Sequence, residues 1–533
     1  MPIRILVSAA LDEGGLNVLR SRPEFEVRVV EPLNGDALVA ALAGVEAVIV
    51  RSESKLTREV LSKTSGLRVI GRAGSGVDNI DVEASTERGI AVLNAPGGNT
   101  VTAAEHTLAL MFALARHVPQ ANAKLRDGIF DRKNFIGVEL AGKTLGVVGL
   151  GQIGAVVAER ARGLHMQVIA YDPFVSEERA KQLGLKMGSL DDVIRAGDFL
   201  TVHTPLNEKT KGIIGKQAFE IAKKGVRVIN CARGGLIDEA ALLEALNSGK
   251  CSGAALDVFE KEPPGKDHPL VQHPRVVSTP HLGASTIDAQ EQVAEIICRA
   301  VSDYLLTGAI AGAVNLPSLP PERFAQVKPW IALARRFGTV LGATFGGALA
   351  QVSISYDGDV AKYETRMLTR ALLTGLLARE TESANMVNAI EIARQRHVAL
   401  SEVRNETPRD FASLITVKLV SDQRSLEASA TLYGNNDPRI VAYDGLRFEA
   451  LLAGQMLWLT NNDKPGVIGR IGTMLGESGI NIARFHLGRG QKSGRALAVV
   501  ETDSAAPAAL IEKLKAAPDI TSVFAVDLSR LPA

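Results

Sequence analysis

A glycine-rich segment in the first third of the chain has the spacing of a loop that binds phosphate groups. The letters GLGQIG place Gly149, Gly151 and Gly154 between an apolar run and a helical pattern. In such a loop the first glycine permits a tight turn, the second lets the backbone approach a pyrophosphate, and the third lets helix and strand pack closely. The free N–H groups at the start of the helix favour an anion. The motif therefore predicts a dinucleotide site.

The acidic residue that follows this loop indicates which dinucleotide is bound. Asp172 ends the next apolar run, MQVIAYD, about 20 residues beyond the glycines, where an acid reaches the adenosine ribose hydroxyls. A carboxylate at this point repels a 2′-phosphate. We therefore expect NAD, rather than NADP, as the cofactor.

Three short segments further along combine residues suited to acid–base chemistry and anion binding. They are NCARGG at 230–235, DVFEKEP at 257–263 and TPHLGA at 279–284. Each follows a predicted strand, and open α/β sheets bind ligands at the carboxyl ends of their strands. Arg233, Glu262 and His281 supply a guanidinium, a carboxylate and an imidazole there, which are usual groups for anchoring a substrate and moving a proton. Taken one at a time, they also suit a solvated turn, a surface carboxylate and a core histidine.

Short runs rich in Val, Ile and Leu alternate with helical patterns over about the first 315 residues. The predicted strands are 4–9, 47–52, 67–74, 90–94, 143–151, 166–172, 198–206, 226–235, 253–259 and 275–281. Near-continuous apolar runs indicate parallel strands that are covered on both faces, and alternation with helices indicates a doubly wound α/β fold. Because there are too many strands for one modest sheet, we expect two Rossmann-like lobes with a cleft between them.

The remaining sequence divides into a linker, a mixed region and a small α+β unit. Three prolines within 314–322 indicate an extended linker. The region 323–454 is α+β, with predicted strands at 351–358 and 425–434 and a helix near 363–378. From 455 onward the predicted elements lie at 455–462, 466–479, 481–488, 495–502, 505–517 and 520–528. Their order, βαββαβ, is that of a ferredoxin-like domain.

Composition and charge exclude several classes of protein. The chain has 533 residues, 46% hydrophobic and 22% charged, so it is neither disordered nor a small disulfide scaffold. A net charge of +1 argues against bulk binding of nucleic acid, which depends on phosphate neutralisation. Only three cysteines are present, as expected in a reducing compartment. The N-terminus lacks a signal-peptide pattern, and no apolar run nearby reaches the ~20 residues of a membrane span, so we expect a soluble cytoplasmic protein.

The order of these motifs resembles that of the D-2-hydroxyacid dehydrogenase family. Over about residues 1–315, a GxGxxG loop is followed by Arg, Glu-Pro and Pro-His. The strings RAGSGVDNID, NAPGGNT, NCARGG, ALDVFEKEPP and TPHLGAST are similar to the branch of this family that oxidises 3-phosphoglycerate. Long members of that branch carry an intervening domain and a C-terminal ACT domain. The resemblance implies a discontinuous substrate-binding lobe at 1–98 and 284–316, an NAD-binding Rossmann domain at 99–283, an intervening allosteric substrate-binding-like domain at 317–454 and an ACT regulatory domain at 455–533.

The resemblance also assigns roles to the three candidate catalytic residues. His281 is the acid/base, since an imidazole with a pKa near ~6.5 reaches both protonation states around neutral pH. Glu262 hydrogen-bonds its far nitrogen and favours the imidazolium. Arg233 binds the substrate carboxylate and polarises the 2-oxo group. The implied reaction is NAD-dependent oxidation of 3-phospho-D-glycerate to 3-phosphooxypyruvate, the first step of the phosphorylated route to L-serine.

Further residues are implied around the cofactor and the substrate. Beside the three glycines, the implied cofactor contacts are Ser75, Gln152, Ile153, Asp172, Thr204, Cys231, Ala232, Asp257 and Gly283. The implied substrate-side residues are Arg51, Arg72, Asn99 and Arg132. Arg51 and Arg72 end strands of the first lobe, and we expect both to bind the substrate phosphate. Cys231 has no base in its motif, so we expect it to line the cofactor site, and the Cys and His spacing predicts no metal site.

The C-terminal domain resembles ACT domains, which often bind amino acids. Asp463 and Asn481 match positions that bind L-serine at a paired-domain interface in serine-sensitive relatives, although some relatives have an aromatic residue near Asn461. A helix cap and a strand-entry residue are the alternatives for these two positions. The resemblance also implies a homo-oligomer, expected to be a tetramer.

Two other functions remain compatible with the sequence. One is another D-2-hydroxyacid dehydrogenase, which acts on 2-hydroxyglutarate or on hydroxypyruvate and glyoxylate. The other is a non-catalytic NAD-sensing binding protein, like the transcriptional corepressors built on this fold. Variants of Arg51 and Arg72 discriminate the first alternative, and turnover discriminates the second.

Overall fold

The computed structural model describes residues 2–434, 436–490 and 494–531. Two compact units divide the chain. One contains the residues up to Ala10, Asn17–Asn94 and the chain from Ile297 onward, and the other contains Leu11–Leu16 and Ala95–Ile296. Within the described residues, the first unit carries three sheets and the second carries one.

The N-terminal sheet of the first unit has five parallel strands. They are β1 (Ile3–Ser8), β2 (Phe25–Val30), β3 (Ala47–Val50), β4 (Val69–Arg72) and β5 (Ala91–Asn94), in the order β2-β1-β3-β4-β5. The connecting helices are α1 (Glu13–Arg20), α2 (Gly35–Ala41), α3 (Arg58–Ser62) and α4 (Val82–Glu87). Every residue of the central strand β3 is buried, as expected for a parallel strand that is covered on both faces.

The second unit contains a seven-stranded parallel sheet. Its strands are β6 (Thr144–Val148), β7 (Gln167–Tyr171), β8 (Lys186–Met187), β9 (Phe199–Val202), β10 (Val226–Asn230), β11 (Cys251–Leu256) and β12 (Val276–Ser278). They lie in the order β12-β11-β10-β9-β6-β7-β8. This reversal of order on either side of β6 is the switch point at which doubly wound sheets bind ligands.

Helices accompany this sheet along the chain. They are α5 (Thr100–Arg116), α6 (Val118–Arg126), α7 (Gln152–Gly163), α8 (Glu177–Gln182), α9 (Leu190–Ala196), α10 (Lys216–Ile221), α11 (Glu239–Asn247), α12 (Pro269–Gln272) and α13 (Ile287–Thr307). One side of α5 is a core face, since Leu110, Met111 and Leu114 are buried. Its opposite side carries the exposed apolar residues Val101 and Phe112.

The chain returns to the N-terminal sheet in the last part of α13. A side chain added at Gly71 would meet Val301 at 2.8 Å and Ile297 at 3.0 Å, so this helix packs closely on β4. Beyond it, the Asn315 amide accepts a hydrogen bond from the Val92 N–H at 2.9 Å and donates to the Ile90 carbonyl at 2.9 Å. The predicted linker is extended, and Asn315 attaches it to the sheet edge.

The next region of the first unit is a mixed sheet packed on helices. The helices are α14 (Pro321–Phe345), α15 (Thr365–Leu377) and α16 (Ala389–Gln395). The strands are β13 (Gln351–Gly358), β14 (Ala399–Asn405), β15 (Ser413–Val420), β16 (Ser425–Tyr433), β17 (Asp437–Tyr443) and β18 (Leu446–Leu451), in the order β14-β13-β15-β16-β17-β18. The pair β13–β14 is parallel and the others are antiparallel.

The C-terminal region has the predicted βαββαβ order. Its elements are β19 (Gln455–Asn462), α17 (Val467–Glu477), β20 (Ile482–Arg489), β21 (Arg495–Thr502), α18 (Ala508–Ala516) and β22 (Ile520–Asp527). The strand order is β20-β21-β19-β22 and all pairs are antiparallel. Leu457 and Leu459 pack with Ile471 and Leu475 of α17, so the alternate residues of β19, including Trp458, face away from the two helices.

The predicted fold class is confirmed, from the two parallel sheets to the C-terminal ferredoxin-like domain. Two strands of the parallel sheets were missed. Only one of the six residues of β2 is fully buried, because β2 is an edge strand, and β8 has two residues, too few to leave a pattern. None of the described helices is long and apolar enough to cross a membrane.

Candidate active site

Three loops meet at the carboxyl edge of the seven-stranded sheet. They follow β10, β11 and β12, which are consecutive neighbours. A side chain added at Gly234 would overlap the carbonyl of Phe259, and the Gly283 N–H donates to the Asp257 carboxylate at 2.8 Å. The loops are therefore in contact, and they bring the three predicted catalytic residues together.

His281 and Glu262 form a hydrogen-bonded pair in these loops. The distance from His281 Nδ1 to Glu262 Oε2 is 2.8 Å. Burial acts to raise the pKa of Glu262, but the hydrogen bond and charge of His281 and the N–H of Phe259 outweigh it and hold this pKa below its usual value. An ionised carboxylate only accepts, so Nδ1 carries the proton and Nε2 is the nitrogen left for substrate.

The same pair raises the pKa of His281. The largest cause is the hydrogen bond to Glu262, burial opposes it, and the charges of Glu262 and Asp257 add to it. The positive charge of Arg233 acts in the opposite direction, which also places Arg233 near the imidazole. The site thus stabilises the imidazolium that forms when His281 takes a proton.

We expect Glu262→Gln to shift the pH dependence of the reaction in a predictable direction. With His281 as the predicted base, oxidation needs the neutral imidazole, so its rate increases as pH rises through the pKa of His281. Because the variant removes the main cause that raises this pKa, the acid limb of the kcat/KM profile for oxidation moves to lower pH. At pH values above the wild-type pKa of His281, reduction, which needs the imidazolium, falls about tenfold for each unit of pKa lost. Initial rates in both directions between pH 6 and 10 test this, and an unmoved acid limb would contradict it.

Asp257 is buried beneath the loop that carries His281. Its carboxylate accepts hydrogen bonds from the Thr279 hydroxyl at 2.6 Å, the Leu282 N–H at 2.7 Å and the Gly283 N–H at 2.8 Å. His106 Nε2 lies 3.2 Å from the same carboxylate. Through these hydrogen bonds Asp257 holds the His281 loop in place. The contact of Asp257 with the cofactor stays a prediction.

The backbone of His281 needs this support. Its φ of 55° is in the left-handed region, which non-glycine residues seldom adopt and which is held where the surroundings over-determine it. The His281 N–H donates to the Asp257 carbonyl at 2.9 Å and the Thr279 carbonyl at 3.0 Å. Sequence reasoning missed His106 and Thr279, although Thr279 stands two residues before His281 in the TPH string.

Asn230, the last residue of β10, shapes the turn that carries Arg233. Its buried amide donates to the Arg233 carbonyl at 2.8 Å and accepts from the Ala232 N–H at 3.0 Å. The Arg233 Nη1 donates to the Ala232 carbonyl at 2.7 Å, which directs the guanidinium along this edge. Cys231 is buried, and burial raises the pKa of its thiol to about 12, which fits a wall residue and not a nucleophile.

The glycine-rich loop follows β6, the strand at which the order of the sheet reverses. A side chain added at Gly149 would lie 2.7 Å from the backbone of His203. One added at Gly154 would overlap the carbonyl of Gly149. At Gly151 nothing lies within 4 Å, which leaves the space that a pyrophosphate would need. The Asp172 carboxylate accepts a hydrogen bond from the Leu150 N–H at 2.8 Å. Asp172, the predicted partner of the adenosine ribose, therefore also holds the glycine-rich loop in place.

Other predicted cofactor residues surround this loop. Gln152 and Ile153 are the first residues of α7, and the Gln152 Oε1 accepts from the Thr100 hydroxyl at 3.2 Å. The Thr204 hydroxyl is buried and has no hydrogen-bond partner among the described residues, and its methyl group lies beside Gly149. The open space at Gly151 and the unsatisfied hydroxyl of Thr204, the residue beside Gly149, fit a dinucleotide. Ser75 lies in the first unit, where its carbonyl accepts from Asn94 at 2.6 Å.

The second and third glycines of the motif should respond differently to alanine. We expect Gly154→Ala to lower the melting temperature, because its Cβ overlaps backbone that cannot move away. Gly151→Ala should keep the wild-type melting temperature and weaken NAD binding at least tenfold, because its Cβ fills only the open space. Differential scanning calorimetry and a fluorescence titration with NADH measure the two effects. Equal NADH affinity in Gly151→Ala and wild type would contradict the assignment.

The predicted substrate arginines of the first unit lie side by side. Arg72 ends β4, and Arg51 directly follows β3, the neighbouring strand. The Arg51 carbonyl accepts from the Asn79 amide at 2.9 Å, and Arg72 Nη1 donates to the Ala73 carbonyl at 3.4 Å. Asn99 and Arg132 belong to the second unit, Asn99 at the start of α5 and Arg132 in an exposed loop.

The two predicted effector residues already have partners in the C-terminal domain. Asp463 pairs with Arg489 at 2.8 Å, and the Asn481 amide donates to Asp503 at 2.6 Å. Gly466, and not Asp463, occupies the N-cap position of α17. The alternative of a helix cap therefore does not describe Asp463.

Comparisons with known proteins agree with this architecture along the whole chain. Three family models match: the D-isomer specific 2-hydroxyacid dehydrogenase NAD binding domain at 108–283, the D-3-phosphoglycerate dehydrogenase intervening domain at 326–444 and the ACT domain at 459–519. The D-3-phosphoglycerate dehydrogenase of Bacillus subtilis is 41% identical over 98% of this chain and 99% of its own length. The chain belongs to the D-3-phosphoglycerate dehydrogenase family. The enzyme of that name from Methanocaldococcus jannaschii is 40% identical over 99% of this chain and 100% of its own length.

Solved structures resemble the dehydrogenase part of the chain. The TT0316 protein of Thermus thermophilus matches with a TM-score of 0.54 and 35% identity, over 58% of this chain and all of its own. A glyoxylate reductase from Paecilomyes thermophila matches with a TM-score of 0.54 and 28% identity, over 60% of this chain and 99% of its own. Full-length similarity to D-3-phosphoglycerate dehydrogenases confirms the predicted family, and the matching NAD binding domain confirms the predicted cofactor. The two alternative functions are not favoured.

Proposed function

We propose that the protein oxidises 3-phospho-D-glycerate to 3-phosphooxypyruvate with NAD, and thereby opens a route to L-serine. The observation that carries this proposal is the His281–Glu262 pair beside Arg233, at the carboxyl edge of the sheet in which β6 leads into the GLGQIG loop. NAD supplies the hydride acceptor when it is bound. The chain supplies the base, the group that anchors the carboxylate, and the cofactor site.

The proton transfer follows from the tautomer that Glu262 selects. The Nδ1–H of His281 donates to Glu262, so the lone pair of Nε2 accepts the proton of the C2 hydroxyl as the C2 hydride leaves. The imidazolium formed lies next to an ionised Glu262, 2.8 Å away, and is stabilised by it. In the reverse direction Nε2 returns the proton to the 2-oxo oxygen.

Arg233 holds the substrate in position for that transfer. Its planar guanidinium offers parallel N–H donors that match a carboxylate. The Asn230 amide fixes the turn from which it projects, so the donors are oriented before substrate arrives. Charge that develops on the C2 oxygen is stabilised by the same cation.

In this proposal Arg51 and Arg72 bind the phosphate group of the substrate. We expect Arg51→Ala or Arg72→Ala to raise the KM for 3-phosphoglycerate at least tenfold, because each removes a cation that pairs with the phosphate dianion. The KM for an unphosphorylated 2-hydroxy acid should change far less. The matched control is Arg58→Ala, which removes an exposed arginine of α3 in the same unit that pairs with Glu87. Equal changes for both substrates would contradict a phosphate anchor.

The activity itself is tested by NADH formation with 3-phosphoglycerate, D-glycerate and D-2-hydroxyglutarate side by side. We expect strong selectivity for 3-phosphoglycerate, and reduction of phosphooxypyruvate in the reverse assay. Equal or better turnover of D-2-hydroxyglutarate would assign a different hydroxy acid. NAD binding with no turnover in either direction would assign a binding protein.

The finer features of the prediction belong to the same proposal. We propose that L-serine is an effector that contacts Asp463 and Asn481. Inhibition assays with serine test this. We also propose a cytoplasmic location.

We propose further that the protein is a homotetramer. Its support is the set of exposed apolar residues in and after α5 and α6: Val101, Phe112, Val118, Leu125, Phe130 and Ile136, since such patches usually mark interfaces. Sedimentation velocity measures the subunit number.

The domain boundaries proposed here are those predicted from the sequence. We propose a substrate-binding lobe at 1–98 and 284–316, an NAD-binding domain at 99–283, an intervening domain at 317–454 and an ACT domain at 455–533. The attachment of Asn315 to the N-terminal sheet supports ending the discontinuous lobe there. Limited proteolysis with mass spectrometry of the fragments tests these limits.

A further inference from the structure

A second histidine–carboxylate pair contacts the loop that carries Glu262. His268 Nε2 lies 3.2 Å from Glu239 Oε2, and the two side chains are only 23% and 20% exposed. Glu239 is the first residue of α11, and His268 directly precedes α12. Both residues belong to the second unit, and sequence reasoning assigned neither of them a role.

The Glu239 carboxylate binds the 257–263 loop directly. Its Oε1 accepts a hydrogen bond from the backbone N–H of Glu260 at 2.7 Å. The preceding N–H, that of Phe259, donates to Glu262 Oε1 at 3.1 Å. Since consecutive peptide planes are joined by only two soft dihedral angles, the direction of the Glu260 N–H constrains the direction of the N–H that holds Glu262. Glu239 thus fixes the part of the loop that orients Glu262.

His268 completes this support from the side of α12. A carboxylate only accepts hydrogen bonds, so Nε2 of His268 carries the proton and donates to Glu239. The His268 ring also stands edge-on to the ring of Phe259, with centroids 5.4 Å apart and an interplanar angle of 73°. Phe259 is buried in the core beside the sheet. His268 therefore contacts both the carboxylate that holds the loop and the side chain that anchors the loop in the core.

The position of Glu262 determines how strongly His281 holds a proton. The hydrogen bond to Glu262 is the largest cause that raises the pKa of His281, burial opposes it, the charges of Glu262 and Asp257 add to it, and the charge of Arg233 opposes it. A hydrogen bond weakens steeply as its angle departs from linear. A displaced loop would therefore weaken the pair although both side chains remain present.

We propose that Glu239 and His268 are positioning residues that hold the 257–263 loop so that Glu262 meets His281 at hydrogen-bond distance. Both act through Glu262 and not on the substrate. The catalytic consequence rests on the proposed function, in which His281 is the base, whereas the hold on Glu262 exists in the free enzyme. Without this hold the imidazolium of His281 loses part of its stabilisation.

The proton titration of His281 in the full-length enzyme without substrate tests this directly. The chain has nine histidines, which we would label with ¹³C at Cε1 and follow by NMR across neutral pH, with His281→Asn to assign the signal. We expect Glu239→Ala to lower the midpoint of His281 by at least about half a pH unit, roughly a threefold loss of proton affinity. Glu239→Gln should stay closer to wild type, because its amide oxygen can still accept from the Glu260 N–H.

Further variants separate positioning from stability. His268→Ala should lower the His281 midpoint in the same direction, and it serves as the test if Glu239→Ala folds poorly. Glu244→Ala removes an exposed carboxylate from the same helix and should leave the midpoint unchanged. A merely stabilising role would lower the melting temperature without moving the midpoint.

Two results would overturn the proposal: an unmoved His281 midpoint in the folded variants of Glu239 and His268, or an equal shift in Glu244→Ala. A wild-type enzyme that does not oxidise 3-phosphoglycerate would contradict the proposed function alone, because the titration needs no substrate.

Discussion

His281→Asn should lower kcat/KM for 3-phosphoglycerate oxidation about 10²- to 10⁴-fold, the usual contribution of a general base. Asparagine is the suitable replacement because His281 has a φ of 55°, and asparagine tolerates the left-handed region better than most residues. The loop can then keep its hydrogen bonds to Asp257. The loss should appear mainly in kcat, because the binding groups on Arg233 and in the glycine loop remain.

Three measurements separate this loss from misfolding. The melting temperature and the NADH dissociation constant of His281→Asn should match those of wild type, and the residual rate should lose the acid limb that titrates with His281. A variant with normal NADH binding and activity within tenfold of wild type would show that another group accepts the proton.

Arg233→Gln should lower kcat/KM about 10²- to 10³-fold, the effect found when a preorganised donor to a developing oxyanion is removed. Both KM and kcat should worsen, since the guanidinium binds the carboxylate in the ground state and stabilises charge at C2 in the transition state. Arg233→Lys should recover little of the loss, because an ammonium group lacks the planar pair of donors.

The matched control for Arg233 is Arg195→Gln. Arg195 is in the same unit, and its side chain is 58% exposed, so its removal changes the net charge equally without touching the site. Wild-type rates are expected for this variant. If Arg195→Gln lost as much activity as Arg233→Gln, the effect would be one of overall charge, and the assignment of Arg233 would be wrong.

The residues that sequence reasoning found are those whose spacing is fixed by the backbone. GLGQIG was recognisable because close backbone contacts at Gly149 and Gly154 leave no room for a side chain, and the space at Gly151 is the one predicted for the pyrophosphate. Glu262 and His281 were recognisable because each follows a strand, and the ends of β11 and β12 are adjacent. In these cases local pattern and sheet topology determine position.

The residues that were missed act through tertiary contacts. His106 lies on α5, where its neighbours show only a helical apolar pattern, and its 3.2 Å contact to Asp257 joins positions 151 residues apart. The sheet of β13–β18 was only partly predicted, because four of its six strands lack a clear signal in the sequence.

The attachment of Asn315 to the edge of the N-terminal sheet affects the order in which parts of the newly synthesised chain can fold. Residues 3–94 leave the ribosome first, but Ile297 and Val301, which pack on Gly71, and the Asn315 amide emerge roughly 220 residues later. At about 5–20 residues per second this delay lasts roughly 10 to 45 s. The second unit, whose chain is nearly continuous from Ala95 to Ile296, is complete by then. We therefore expect the N-terminal sheet, although translated first, to finish folding after the second unit, with the face of β4 that packs on α13 open to solvent until then.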